Sequence, residues 1–590
     1  MVFHAENNEI DEDFGKRPSA NPSSAIATLY QRRHQIAILA VLWIFHVANL
    51  AIWESRNRQL LAFDEVGHFL ASCVTARVLE APWVILDLPS FFHGLPNALG
   101  SWVLFNFSIF PPFVYLVTAI LYFFSSPSLP VAALTNAIFL LILLVAVCGI
   151  ADDMLGYSAG VAAAFLVSAY PLLVGLTRLY FLDFPLTAMV ALSLFLLTRT
   201  KMFQNRKNVI LLSVSLIFGM LTRHTFPLYV LGPILYVMAR SFRDRTARNN
   251  IVLCIAIASV SVLYYIVKPG GLGVYQWYVD YTRIQGLTFS TPPYIAALVY
   301  LKVMAQGIGY PLFMLFSGGL LLFIKLRNRS RGIMLAGILT PILLLGVVYP
   351  VYYDPRFVAP ILPVAAVASS SFFKKFNWHS RSQLSAVVII GLFVMAQFAS
   401  ITYDVPILSG FYTEGAAAAA DAHPPIASDW KIPEILNTIQ EDAIVRHDEL
   451  PIVVALSIDY HFDQTLFEYY AYVGGISVIV PPNYGQFSTI EGIEIISSAS
   501  YVVTRSDPAL WVGGPVVFVQ NLVGVSEYVQ SHLASFVFLA NYTLPDGSVA
   551  SLYRRIAALP FPSLSPGSPQ VRLISTSPIW RELNPAAVYV

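Results

Sequence analysis

Charged residues are scarce in this chain of 590 residues. Asp, Glu, Lys and Arg together make up 12% of it, which is about half the share found in an ordinary soluble domain. Hydrophobic residues make up 57%, and the mean hydropathy is +0.66. The formal net charge of +1 provides no basic excess for binding a nucleic acid. The composition therefore excludes a soluble protein and a nucleic-acid partner, and it predicts a protein of the lipid bilayer.

Cysteine is also scarce. The three residues of this type, Cys73, Cys148 and Cys254, lie far apart along the chain. They form no CxxC pair and no spacing typical of zinc ligands, so the sequence predicts neither a disulfide framework nor a structural metal site. Glycine-rich phosphate-binding motifs and internal repeats are absent as well. The sequence therefore predicts no bound cofactor.

The chain is rich in apolar runs, most of them close to the length of about 17–25 residues that crosses a bilayer as a helix. They cover 36–53, 101–124, 129–150, 157–175, 184–199, 208–222, 226–239, 250–267, 311–325, 333–349, 356–373 and 384–402. Between them, Lys and Arg cluster near 32–33, 199–207, 240–248, 325–331 and 374–381. Because basic loops stay on the cytoplasmic side, we expect all these clusters to share that face.

The run 101–124 decides the topology. If it crossed the membrane, the basic segment 199–207 would lie on the outer side, against the charge rule. The run contains Pro111 and Pro112, which interrupt helical hydrogen bonding. We therefore expect 101–124 to form a re-entrant or interfacial helix within one long outer loop, 54–128. The predicted fold class is a polytopic α-helical membrane protein with about eleven transmembrane helices.

The character of the chain changes after residue 402. Residues 403–450 have the composition of a linker with one polar helix, and residues 451–590 form a predicted α/β domain with an irregular tail. Strands are predicted at 451–457, 476–480, 501–504, 536–542 and 549–554, and helices at 463–472 and 525–533.

The same topology assigns sides to the remaining segments. Residues 1–35 are expected to be a disordered cytoplasmic tail, and residues 36–402 to be the transmembrane domain. The α/β domain would be extracytoplasmic. The protein would be integral to the plasma (inner) membrane, with its N-terminus in the cytoplasm.

Asp64 and Glu65 stand side by side in the outer loop, in a chain with few charges. A partly desolvated carboxylate can have its pKa raised toward a value useful for a general base. We therefore interpret the pair as candidate catalytic residues; the alternative for Asp64 is a helix N-cap. His68 lies four residues further, on the same helical face. This spacing is compatible with a divalent metal but does not favour one, because one His and two carboxylates are a weak ligand set.

Further charged residues are expected at the same face. Arg178 and Asp183 lie between two apolar runs, and Asp183 is either a second acidic site residue or a cap before Pro185. The predicted loop 268–293 contributes Asp280 and Arg283.

Arg223 and Arg356 lie at the ends of apolar runs, where a charge needs a partner. Arginine binds phosphate bidentately and stays charged, so the partner we expect is a lipid phosphate; snorkelling to the interface is the alternative. His224 and Tyr352 flank these arginines and are further candidates for substrate binding, although His224 also fits a polar neighbour without a function of its own.

Four of these motifs resemble, in their order along the chain, those of the GT-C glycosyltransferases. They are Asp64-Glu65 followed by the small residues Ala71-Ser72, Pro111-Pro112-Phe-Val-Tyr115, Arg178-Leu-Tyr-Phe-Leu-Asp183-Phe-Pro-Leu-Thr-Ala, and Arg356-Phe-Val-Ala-Pro360-Ile-Leu-Pro363. The resemblance covers residues 36–402. The chain is similar to the bacterial branch that is related to protein mannosyltransferases and lipid A aminoarabinose transferases.

The resemblance implies an inverting transfer of a sugar from a polyprenyl-phosphate carrier, without a catalytic metal. Asp64 would be the general base with Glu65 beside it, Asp183 a second acidic residue, and Arg223 and Arg356 the phosphate contacts. Further candidate substrate-binding residues are His68, Arg178, His224 and Tyr352. The acceptor would be a protein, a glycolipid or a polysaccharide.

Two other classes of protein compete with this interpretation. A transporter or lipid flippase would bury its charges near the membrane midplane on broken helices, and often shows repeated halves. A non-catalytic assembly protein would use the outer α/β domain as its working part. The gathering of polar residues at one predicted face, and the absence of repeated halves from the sequence, favour the glycosyltransferase.

Overall fold

The computed structural model describes residues 22–60, 64–81, 110–267, 291–350 apart from 327 and 329, 353–374, 380–405 apart from 404, 422–481, 489–506 and 516–559. The first helices are α1 (Pro22–Arg56), α2 (Asp64–Glu80), α3 (Phe113–Tyr122), α4 (Leu129–Ala133), α5 (Thr135–Leu155), α6 (Tyr157–Ser168), α7 (Pro171–Arg178), α8 (Asp183–Arg199), α9 (Arg206–Thr222), α10 (Pro227–Ser241), α11 (Arg245–Ala258) and α12 (Val260–Val267).

The helical region continues with α13 (Pro293–Ile308), α14 (Tyr310–Ile324), α15 (Arg331–Val348), the 3₁₀ segment Pro355–Ile361, α16 (Leu362–Ser369), the 3₁₀ segment Ser370–Phe373 and α17 (Arg381–Tyr403). The C-terminal part contains α18 (Ile432–Arg446), α19 (Gln464–Gly474), α20 (Thr489–Ser498), α21 (Val516–Ser531) and the 3₁₀ turn Leu533–Ser535.

Among the described residues, six helical segments are long and apolar enough to cross a membrane: Gln31–Arg56, Leu129–Leu155, Arg245–Ile266, Arg331–Val348, Pro355–Phe373 and Arg381–Tyr403. Two helix pairs reach this length only across a bend, α6 with α7 at 59° and α13 with α14 at 114°. The expected character of a polytopic helical protein is confirmed, and the expected number of about eleven spans stays a prediction.

In the helical part of the chain, the structure differs from the sequence-based expectation at α1 and at α13. Helix α1 begins at Pro22, inside the stretch expected to be a disordered tail; residues 1–21 lie outside the described part. Of the run 101–124, the described portion contains only α3, with 10 residues, which starts directly after Pro112 because proline cannot extend a preceding helix. Helix α13 forms where no helix was expected, and it turns into α14 at Gly309, whose φ of +87° suits glycine.

Helices α8 and α9 position two of the candidate residues. Asp183 opens α8, and Arg199 closes it, so both charges complement the helix dipole. The chain then returns through α9, and the hydroxyls of Ser193 and Ser215 bond across the two helices at 3.1 Å. This antiparallel pairing brings Asp183 to the end of α9, next to Arg223, and leaves Arg199 at the opposite end of the pair.

The C-terminal domain contains a sheet of β1 (Val453–Leu456), β2 (Tyr501–Arg505), β3 (Phe536–Thr543) and β4 (Val549–Arg555) in the order β1-β2-β4-β3. β1 and β2 are parallel, and the other neighbours are antiparallel. Every residue of β1 and β2 is buried, as expected of parallel strands covered by helices.

The expected α/β character of this domain is confirmed, with two differences. The segment 476–480 makes only an isolated bridge between Ile479 and Ile452 and is not a strand. Helix α20 was not expected, because its ten residues mix polar and apolar types and give only a weak helical repeat of apolar positions.

Helix α18 lies in the predicted linker 403–450, yet it packs as part of the C-terminal domain. Its residues Ile435, Leu436 and Ile439 are buried. The carboxylate of Asp442 accepts a hydrogen bond from the hydroxyl of Tyr501 at 2.7 Å. The segment from Ile432 onward therefore packs with the domain, and the bounds expected for the linker and the domain stay predictions.

The C-terminal domain rests on α2 and on the segment before it. The ring of Phe69 meets the rings of Tyr469 and Tyr472 edge-on, at centroid distances of 5.2 and 6.2 Å. The backbone N–H of Arg58 donates to the carbonyl of Ile426 at 2.9 Å. The domain therefore lies directly beside the helix that begins with Asp64.

Candidate active site

Arg356 lies at the centre of the site, in the 3₁₀ segment Pro355–Ile361. The carboxylate of Asp354 caps this segment by accepting the backbone N–H of Arg356 at 2.9 Å. The same carboxylate accepts hydrogen bonds from Nε and Nη2 of Arg356, at 2.8 and 2.6 Å. Asp354, two positions before Arg356, thus binds two nitrogen atoms of its guanidinium. Its Nη1 donates to Oδ2 of Asp64 at 2.9 Å, which joins α2 to a segment far along the chain.

Arg223 forms the second ion pair of the site, with Asp183. Both side chains are largely buried, at 11% and 3% exposure. The guanidinium of Arg223 lies 5.9 Å from the ring centre of Phe357, and Phe357 directly follows Arg356. The two ion pairs are therefore neighbours in one cluster of charges.

Glu65, the residue after Asp64, is buried. Its Oε1 accepts a hydrogen bond from the backbone N–H of Tyr180 at 3.0 Å. Consecutive side chains on a helix leave the axis in different directions, and here Asp64 contacts Arg356 while Glu65 contacts Tyr180. Glu65 fastens α2 to the segment between α7 and α8, which also presents Phe181 to Arg356 at 4.7 Å.

His68 is buried on the same helix. Its Nδ1 lies 2.8 Å from the hydroxyl of Tyr115, and its ring packs edge-on against Phe110 with centroids 4.7 Å apart. Burial lowers the pKa of His68 to about 4, and the nearby charge of Asp64 offsets only part of that effect. The imidazole is therefore neutral at pH 7 and serves as a hydrogen-bonding partner of Tyr115.

The expectation that the pKa of Asp64 is raised is wrong. Burial does act in that direction, but the guanidinium of Arg356 and further positive charges outweigh it and hold the pKa below its ordinary value of 3.8. The side chain of Asp64 remains 45% exposed, so desolvation is incomplete. Asp64 is therefore an ionised carboxylate at neutral pH, able to accept a proton once it leaves Arg356.

Arg178 lies away from this cluster. Its guanidinium donates to the carbonyls of Ile401 and His423, at 3.2 and 2.8 Å, and to the hydroxyl of Thr402 at 2.7 Å. It also lies 4.9 Å from the ring centre of Trp53. These contacts connect α1, α7, the end of α17 and the start of the C-terminal domain, which favours a structural role.

His224 follows Arg223 in the turn before α10 and is half-buried. Tyr352, Asp280 and Arg283 lie outside the described residues. The functional roles of these residues, and of the others named from the sequence, stay predictions.

Asp354 is the residue that the sequence-based list of site residues missed. The signal was present in Asp354-Pro355-Arg356, because an Asp ahead of a proline commonly caps a helical turn. The orientation of the arginine side chain back onto that carboxylate required the three-dimensional structure.

In the described part of the chain, no group of three or more His, Cys, Asp or Glu is arranged to hold a metal ion.

The cluster combines two kinds of chemical group. Two guanidiniums can bind an anion with several oxygen atoms, for which phosphate is the best match. A half-exposed carboxylate beside them can accept a proton. Asp64 accepts a hydrogen bond from only one nitrogen of the guanidinium. A phosphate can therefore replace Asp64 on Arg356 while the hydrogen bonds to Asp354 remain.

Comparison with known proteins gives one family match. Residues 110–266 match the dolichyl-phosphate-mannose-protein mannosyltransferase family, and curated sequences give no match.

Several solved structures are similar. ArnT from Cupriavidus metallidurans bound to undecaprenyl phosphate has a TM-score of 0.50 and 12% identity, over 92% of this chain and 100% of that one. The Archaeoglobus fulgidus oligosaccharyltransferase has a TM-score of 0.48 and 15% identity, over 87% and 72%. Arabinofuranosyltransferase AftD from Mycobacteria has a TM-score of 0.48 and 12% identity, over 90% and 40%.

The likeness to ArnT shows the fold, and the family match includes the segment with Asp183 and Arg223. The resemblance drawn from the sequence motifs is thereby confirmed. The chain is an integral membrane protein with the fold of the GT-C membrane glycosyltransferases, and its residues 110–266 match one family of that class.

Proposed function

We propose that the protein transfers a sugar, with inversion, from a polyprenyl-phosphate carrier to a hydroxyl or amine of an acceptor at the non-cytoplasmic face of the membrane. The observation that carries the proposal is the 2.9 Å contact between Asp64 and Arg356. A carboxylate that is able to accept a proton thus lies beside a guanidinium that is able to bind phosphate. The likeness to ArnT, which was solved with undecaprenyl phosphate bound, supports a lipid phosphate as the carrier.

In the proposed reaction, the donor phosphate takes the place of Asp64 on Arg356, and the sugar separates the two residues. The freed carboxylate of Asp64 accepts the proton from the acceptor O–H or N–H, whose heavy atom forms a bond to the anomeric carbon. The bond from that carbon to the phosphate oxygen breaks, and polyprenyl phosphate leaves with the electron pair. Arg356 and Arg223 stabilise the negative charge that this oxygen acquires.

The proposed side of the membrane rests on where charges lie along the helices. Asp183 and Arg223 lie at one end of the α8–α9 pair, and Arg199 and Arg206 lie at the other. Basic residues favour the cytoplasmic side, so the site would face the outer side. About eleven spans, a cytoplasmic N-terminus and an extracytoplasmic C-terminal domain follow from the same rule and belong to this proposal.

Replacing Asp64 by Asn tests the proposed base. We expect Asp64→Asn to lower turnover by about 10²–10⁴-fold, since the amide cannot accept the proton. Turnover is measured as release of polyprenyl phosphate by the purified protein, with the lipid-linked sugars and acceptors extracted from the source membranes. Binding of undecaprenyl phosphate should remain, because Arg356 is intact and loses a competing carboxylate.

Asp153→Asn is the matched control, because Asp153 pairs with Arg199 at 2.8 Å at the opposite end of α8. It should leave turnover unchanged. Full turnover by a well-folded Asp64→Asn protein would overturn the assignment of the base. Movement of the lipid across vesicles without sugar transfer would favour the transporter or flippase instead.

A further inference from the structure

A short loop of the C-terminal domain connects β1 to α19. It is closed at its base by an antiparallel bridge between Ile458 and Asp463. Asp463 is fully buried and caps α19 by accepting the backbone N–H of Thr465 at 3.0 Å. Phe462 is also fully buried. Tyr460, in contrast, is 45% exposed, so the loop presents an aromatic residue on a rigid base.

Arg505 fixes the loop to the sheet. Its side chain is fully buried and donates to Asp459 at 3.1 Å, to Asp546, and to the hydroxyl of Ser548 at 2.8 Å. Asp459 in turn accepts the backbone N–H of His461 at 2.8 Å. The buried guanidinium holds Asp459 directly, and Asp459 holds His461. The residues on both sides of Tyr460 are therefore fixed, which leaves the loop little freedom to move.

The loop is docked on the transmembrane part. The Nδ1–H of His461 donates to the carbonyl of Leu60 at 3.0 Å, and the His461 ring lies 5.6 Å from that of Trp430. Leu60 precedes Asp64 by four residues. This contact places Tyr460 beside the start of α2.

The electrostatic surroundings of Tyr460 agree with this position. Burial raises the pKa of its phenol, and the charges of Arg356, Asp354 and Asp64 also act on it. All three belong to the active-site cluster. The phenol therefore lies within electrostatic range of the arginine at the centre of that cluster.

We propose that Tyr460 completes the donor site from the C-terminal domain by donating its phenolic O–H to a phosphate oxygen of the lipid-linked sugar. This inference rests on the proposed function, and it adds a substrate-binding residue outside the transmembrane region. A phosphate seated on Arg356 would leave oxygen atoms facing away from the guanidinium. A phenol held by a rigid loop can donate to one of them with little loss of conformational entropy.

The first test is binding of undecaprenyl phosphate to the purified full-length protein. Tyr460→Phe removes only the hydroxyl, and it should raise the Kd by about tenfold, the lower end for a hydrogen bond to a charged group. Tyr553→Phe is the matched control, because Tyr553 packs against Phe536 and Phe538 within the domain. It should leave the Kd unchanged.

The second test uses the burial of all three native cysteines. A thiol introduced by Tyr460→Cys should react with a polar maleimide, and undecaprenyl phosphate should slow that reaction several-fold. Phe538→Cys is the control at another exposed aromatic position, where Phe538 is 52% exposed. Its labelling should not respond to the lipid.

Arg356→Ala distinguishes failure of this inference from failure of the proposed function. If Arg356→Ala weakens binding while Tyr460→Phe does not, or if the lipid fails to protect the thiol at position 460, Tyr460 is not a donor contact and the proposed function stands. If Arg356→Ala also binds as tightly as the unmodified protein, the phosphate site itself is misplaced.

Discussion

At the scale of single residues, the two ion pairs of the site differ in how easily they can open. Asp183 and Arg223 are largely buried, at 3% and 11% exposure, so separating them would leave uncompensated charges in a poorly solvated place. Asp64 is 45% exposed, and water can solvate its carboxylate when it leaves Arg356. We infer that the Asp64 pair opens for the donor while the Asp183 pair keeps its place.

The proposed role of Asp64 as the base predicts how kcat/KM depends on pH. Its pKa lies below 3.8, so the base form persists as pH falls, and activity is lost only as pH passes that lowered value. Asp64 should therefore cause no loss between about pH 4.5 and 7. Arg356→Lys removes the hydrogen bond from Nη1 to Asp64, which weakens the lowering of the pKa of Asp64 and moves the acidic limb to higher pH.

The measurement is kcat/KM as a function of pH for both proteins. Arg199→Lys, at the pair with Asp153 far from the site, provides the control and should keep the profile of the unmodified protein. An acidic limb at the same pH in Arg356→Lys and the unmodified protein would show that Arg356 does not govern the ionisation of the base.

At the scale of secondary-structure elements, close packing of α14 against α16 supports the segment that carries Arg356. A Cβ added at Gly319 would lie 2.6 Å from the carbonyl oxygen of Ala368 and 2.7 Å from Cα of Ser369. Both are backbone atoms, which cannot move aside as a flexible side chain can. Small residues permit such close approach of helices in a membrane.

Gly319→Ala should therefore destabilise the protein by about 1–3 kcal/mol, the usual cost of overpacking. Gly391→Ala, in α17, is the matched control, because a Cβ there meets nothing within 4 Å. It should be neutral or slightly stabilising, since Ala is the better helix former. Thermal unfolding in detergent measures both, and equal unfolding temperatures would contradict the close contact.

At the scale of the whole molecule, a few contacts hold the C-terminal domain against the transmembrane part. Arg178 and the indole N–H of Trp53 both donate to the carbonyl of His423, at 2.8 and 3.0 Å. The contact of His461 with Leu60 adds a further attachment. Since Tyr460 belongs to the docked domain, the position of the domain determines whether that residue reaches the donor.

Arg178→Gln should weaken this junction, because the shorter amide cannot reach all the acceptors that the guanidinium now bonds. We expect a lower unfolding temperature and faster proteolysis between the two parts, with the affinity of Arg356 for phosphate retained. Limited proteolysis and binding of inorganic phosphate report the two properties separately. Loss of phosphate binding without loss of stability would instead make Arg178 a substrate contact, as the sequence-based list of site residues predicts.

The sequence alone determined the class of this protein. Apolar runs and basic clusters can be read from neighbouring residues in the sequence. They therefore predict a helical membrane protein before any tertiary contact is known. Asp64, Asp183, Arg223 and Arg356 were singled out for the same reason, because a charge is conspicuous in an apolar chain. The strands at 501–504 and 549–554 were also predictable from their β-branched and aromatic residues.

Tertiary structure decided which of these residues meet. Packing between distant segments pairs Asp64 with Arg356 and brings Glu65 to Tyr180. It also places Arg178 at the junction with the C-terminal domain. The same packing lowers the pKa of Asp64 where local reasoning predicted a rise. Ionisation reflects charges nearby in space, and sequence distance carries no information about them.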